Sequence, residues 1–272
     1  MTKRYSPATQ NFIAQGGSWK DFFDGGAIDI FTGSQPATAD LATTGTLLVT
    51  ITSGAAALTN ETRATGIVTL SGTTSGSVDT LTLAGIDLID IPGQSTVGYT
   101  GSLNATATAV ATRINRNPKN KLVVASTTGA SAIITLTARP GLGAVLNGLT
   151  IATTSTGLTS TATSNMGQSP GVPGVSTVNG LRMDYSATAG VMVKDPTQTW
   201  SGTAAGAGTQ TAGWFRYRSS LADAGALDSS AVFMRLDGSI ATSGSDLDMT
   251  STSITYGALQ TLSTFQFTIP AA

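Results

Sequence analysis

The sequence predicts a mainly β protein, with a β-sandwich-like outer domain that carries an inserted small α+β module. Three observations lead there. The runs Thr211–Arg218, Ala231–Ser239 and Leu259–Ile269 alternate with the period of two that marks strands. Convincing helical spacing over more than two turns occurs once, at Leu103, Ala107, Val110 and Ile114. Gly-, Ser- and Thr-rich turns punctuate the rest, as expected of short strands joined by tight connections.

In chain order, Ser6-Pro7 with Gly16-Gly17 downstream gives a hydroxyl cap, a proline at the first helical position and a glycine stop, which predicts a short helix over residues 7–15. Ser18 caps a second, Trp19–Phe23, whose Trp19, Phe22 and Phe23 form one apolar stripe. This stripe reads either as a plug on the β core or as a contact with another subunit. Strands follow at Ala27–Phe31 and Thr46–Ile51. From about Thr62 the pattern becomes strand (Gly66–Leu70), flexible turn (Ser71–Gly76), strand (Asp79–Leu83), helix ending at Asn117-Pro118, then a strand pair, Leu122–Ala125 and Ala132–Leu136, across Thr128-Gly129-Ala130. That is a β-β-α-β-β module, followed by a last short strand at Leu149–Ile151. Thr153–Asn165 and Gly167–Gly174 read as a linker. Strands resume at Leu181–Tyr185 and Gly190–Val193. Neither flank has strands enough for a sandwich alone, so residues 1–61 and 170–272 are expected to fold together around an insertion at 62–169.

Thr211–Arg218 is the densest aromatic stretch. Alternation puts Trp214, Arg216 and Arg218 on one face and Phe215 and Tyr217 on the other; on the neighbouring run Phe233, Arg235 and Asp237 share a face. One face is expected to enter a core. The arginines read as cross-strand partners of Asp237 or another carboxylate, or else Arg216, Arg218 and Arg235 form a polar contact surface; the first reading is favoured.

Composition excludes several chemistries. The 272 residues include no Cys and no His, which removes disulfides, thiol nucleophiles, common zinc sites and the usual general base. The 14 basic and 15 acidic groups give a net charge of -1 and are scattered, so no nucleic-acid partner is expected. No run reaches the ~18 apolar residues of a membrane span, so no membrane partner is expected and the chain is read as made in the cytoplasm. Only 11% of residues are charged, which suits a chain in lasting contact with its own copies or a larger assembly. The closest carboxylate sets, Asp21 with Asp24, Asp87 with Asp90 and Asp246 with Asp248, each have a simpler place at a helix end, a strand edge or a turn. Gly244–Asp248 lacks the spacing of a calcium loop, and Gly202–Gly208 reads as a flexible loop rather than a nucleotide cradle. No enzyme activity, cofactor or metal is expected.

Gly16–Asp21, Gly25–Ala37 and Gly45–Leu48, with the late Gly213-Trp214-Phe215-Arg216, resemble a group of tailed-bacteriophage virion proteins. Ala111–Asn115, Thr135–Ala138, Gly141–Ala144 and Asn147-Gly148 are similar to small βαβ units of phage structural proteins. The resemblance implies a place on the virion, as a homo-oligomeric capsid decoration protein contacting other virion proteins such as the major capsid protein. The alternative is a tail or tail-fibre receptor-binding or glycan-binding module.

Overall fold

The computed structural model describes residues 3–128, 131–184 and 190–269. The chain is mainly β, 42% strand and 12% helix. It divides into two compact units, Met1–Glu61 with Thr177–Ala272 and Thr62–Ser176. The second boundary therefore lies past Ser176, not at 170. The expected turn at Thr128–Ala130 and the end of the Leu181–Tyr185 run lie partly outside the described residues.

The outer unit is built on a nine-stranded sheet with Thr209–Arg218 at its centre. Arg235–Ala241 pairs with it antiparallel on one side and Ala27–Thr32 on the other. Arg4–Tyr5 extends the first side; Leu47–Ser53, Trp200–Thr203 and Leu259–Leu262 extend the second. Against this sheet lies a second layer, the antiparallel pair Val191–Val193 and Gln266–Thr268 together with the two predicted helices. Phe23 bridges the layers, its ring 4.9 Å from Tyr217 on the large sheet and 4.9 Å from Phe267 on the small one. Each large apolar side chain so buried contributes about 1.5–3 kcal/mol.

The helix caps are as the sequence suggests. Ser6 Oγ accepts from Thr9 N at the start of Pro7–Ala14, and Ser18 Oγ accepts from Asp21 N at Trp19–Phe23. Ser6 also seats its helix on the sheet, since its Oγ accepts from Arg235 N and its N–H donates to Arg235 O. The Leu259–Ile269 run, expected as one strand, is two. Leu259–Leu262 pairs with Trp200–Thr203, and after a break Gln266–Thr268 joins the small sheet. The chain changes sheets there because Phe265 and Phe267 are both drawn into the core between the layers. At Gly213 the central strand bulges, and a Cβ there would sit 1.9 Å from Gly33 O, so only glycine fits without displacing backbone.

In the module the expected strand, turn and strand from Gly66 to Leu83 are one strand, Thr65–Leu83. The Ser/Thr/Gly segment read as a linker is its partner, the strand Ile151–Ala162. Glycine supplies the irregularity that reads as a turn: Gly72 and Gly76 take φ of 95° and 118°, and pairing with the partner strand stops at Gly72 and resumes in a shifted register at Ser77. Ile133–Ala138, Val123–Thr127, Val97–Gly98 and Ile86–Asp87 complete a six-stranded sheet. Helix Leu103–Arg116, capped by Ser102 as predicted, lays Ala107, Val110, Ala111 and Ile114 into a core with Val68, Leu70, Leu81 and Leu136. No helix among the described residues is long and apolar enough to cross a membrane.

Candidate functional site

From Trp214 to Tyr217 the central strand is buried on both faces. Phe215 and Tyr217 enter the core between the layers, as alternation requires. Trp214 and the arginines face the other way, under the loops that follow Thr32 and Arg218. There Trp214 stacks on Phe31 at 4.5 Å and 13°, and donates from Nε1 to Thr44 O. Next along, Arg216 faces its register partner Asp237 and makes a bidentate pair, Nε to Oδ1 and Nη2 to Oδ2, both 2.7 Å; the two side chains are 1% and 0% exposed. Its remaining Nη1 donates to Leu41 O.

Arg235 makes a second fork with Asp223, 2.6 Å on each arm, and donates to Asp40 O and Ala226 O. Arg218 reaches diagonally to Asp29 at 2.8 Å, and Asp29 also accepts from Thr50 Oγ1. Three arginines thus tie two covering loops to three strands through charge-assisted hydrogen bonds. Burial pushes the Asp237 carboxyl upward, against the pull of Arg216. Burial acts the same way on Asp223, but hydrogen bonds from Arg235 and the Gly225 amide outweigh it and hold that carboxyl below the usual range.

The expectation of a contact surface at Arg216, Arg218 and Arg235 is therefore corrected. Arg216 and Arg235 are sealed inside the unit, and Arg218 is mostly buried against Asp29. Cross-strand pairing with Asp237, the favoured reading, describes Arg216. Phe22 and Phe23 are also corrected: both are fully buried within their own unit and have no face to offer a partner. Trp19 stays half-buried, packed 5.2 Å from Tyr5 and 4.8 Å from Phe267. Sequence reasoning missed Asp223 and Asp29, one on a loop without periodicity and the other several strands away in sequence.

The carboxylate sets take separate structural roles. Asp24 accepts from Lys20 Nζ and Met183 N, Asp87 from Ile89 N, and Asp90 pairs with Lys119. Asp246 accepts from both N and Oγ of Ser239, and Asp248 from the Ser245 N–H and hydroxyl. Among the clefts of the outer unit, two lie beside these charged groups. One, of about 280 Å³, lies over Asp29, Phe31, Thr50 and Arg218. The other, of about 320 Å³, is lined by Lys3, Asp246, Asp248, Thr264 and Gln266. Comparison with protein-family models, curated proteins and solved structures finds no significant match.

Proposed function

We propose that the chain is a non-enzymatic structural protein of a tailed-phage virion, decorating the exterior of the capsid and contacting the major capsid protein and its own copies. The observation that carries this reading is the fate of the arginines. The side chains that sequence alternation lined up as a ready polar surface are spent on buried forks that clamp loops onto a sheet. That investment suits a rigid building block, and the sparsely charged Gly/Ser/Thr exterior suits permanent contact. Quantitative mass spectrometry of gradient-purified particles tests it. The chain is expected at a fixed copy number per particle, and its presence in infected lysate with absence from particles would sink the reading.

One observation favours a tail-borne glycan-binding module instead. The cleft over Asp246, Asp248 and Gln266 is lined with groups that hydrogen-bond sugar hydroxyls, and the half-buried Tyr5–Trp19 pair belongs to the same unit. Glycan-array binding abolished by Gln266→Ala, with antibody labelling at the tail, would favour this second reading over decoration.

A further inference from the structure

The two units carry opposite charge. The outer unit holds eight Lys/Arg against twelve Asp/Glu, and the module six against three. Most outer-unit cations are consumed in its own ion pairs. In the module, Lys119 pairs with Asp90, while Arg113, Arg116 and Lys121 have no carboxylate within ion-pair distance among the described residues. Arg113 and Arg116 stand one turn apart at the C-terminal end of Leu103–Arg116, where the helix dipole favours cations. The dipole does not account for what lies beside them. A groove of about 560 Å³ lies beside this helix, its lining including Ile91, Ala105, Thr108, Ala109, Thr112 and the two arginines, of which Arg113 donates from Nη1 to Gln94 O.

A matching feature lies on the outer unit. Asp246 and Asp248 flank Leu247, which is buried and anchors the turn. Neither has a cation within ion-pair distance among the described residues; Lys3 lines the same cleft but sits over the Phe267 ring at 5.3 Å. Alternate residues of extended chain lie about 7 Å apart. Residues three apart on a helix have Cβ atoms about 5–6 Å apart, a spacing that long arginine side chains readily widen to match.

We infer that the groove on helix Leu103–Arg116 docks the Asp246–Asp248 turn of a second copy, Arg113 and Arg116 taking its two carboxylates. The two surfaces differ, so the contact is head-to-tail and propagates unless symmetry closes it into a ring. It deepens the structural reading proposed above, but it is measured on purified chain alone, so it fails or stands separately from any test on particles.

Sedimentation velocity over a concentration series is the test. The wild-type chain is expected to associate at about 0.01 M salt and to dissociate towards 1 M, as the Debye length falls from about 30 Å to about 3 Å. Arg113→Glu with Arg116→Glu, and separately Asp246→Lys with Asp248→Lys, should each weaken self-association more than about tenfold. In an equimolar mixture of the neutral variants Arg113→Gln/Arg116→Gln and Asp246→Asn/Asp248→Asn only one charged junction can form, so association should stop at a 1:1 complex. Circular dichroism melts check folding, and the milder Arg113→Gln with Arg116→Gln replaces a reversal that does not fold. A wild-type chain that stays monomeric at low salt, variants that associate as well as wild type, or a mixture that forms no 1:1 complex would overturn the inference. So would association only on adding a nucleic acid, which would assign the arginines to phosphate.

Discussion

Because Asp223 accepts both arms of the Arg235 fork, its carboxyl titrates below its ordinary range, and the stability it contributes is present above the unfolded value of about 3.9 and lost as pH falls through the folded one. Asp237 acts with the opposite sign: its raised folded value makes ionisation costly, so its contribution declines as pH rises through that value. Asp223→Asn should therefore destabilise the protein at neutral pH by about 3–5 kcal/mol, since it strands a buried guanidinium. It should also flatten the loss of stability on acidification. Thermal melts of both proteins from neutral pH downward check this, and parallel curves would contradict it. Trp214→Ala should cost about 3–5 kcal/mol by emptying the space against Phe31. Trp19→Ala, at a half-buried ring, should cost less. Alternation in the sequence told which side chains share a face with Arg216. It did not tell that the outward face would be roofed by loops, because a covering loop has no period and Asp223 sits in one.

Among the elements, helices announced themselves best. Ser6-Pro7, Ser18 and Ser102 are local chemistry, since a hydroxyl satisfies an amide three residues on whatever the rest of the fold does. Strand partners are not local. Gly72 and Gly76 break the pattern, so the sequence reads as separate strands Gly66–Leu70 and Asp79–Leu83 where one strand, Thr65–Leu83, runs, and Ser and Thr dominate Thr153–Asn165, so it reads as a linker where strand Ile151–Ala162 lies. Each is a strand because the other lies alongside. Hydrogen exchange separates the two descriptions. Backbone amides of 153–162 that pair with the long strand should be strongly protected, whereas a linker would exchange them at once. Gly76→Val should destabilise this pairing, since at φ 118° its Cβ would sit 2.1 Å from Thr156 O.

Over the whole molecule, the insertion was visible as a change of character near Thr62, while its far boundary was obscured by glycine-rich sequence that continues to Gly174. Thr62 and Val175 form an antiparallel bridge, so the ends of the module meet. A module of residues 62–176 should melt cooperatively alone, and so should an outer chain joined from Glu61 to Thr177 by a short Gly/Ser linker. Loss of cooperative melting in both would show that the division is wrong. The proposed function is a place on the virion rather than a reaction. Location therefore tests the functional account most directly. A cryo-EM map of purified virions should show density fitting the nine-stranded unit and the six-stranded module, repeated with capsid symmetry on the head exterior. A well-resolved map in which every external density is filled by other chains would contradict the account.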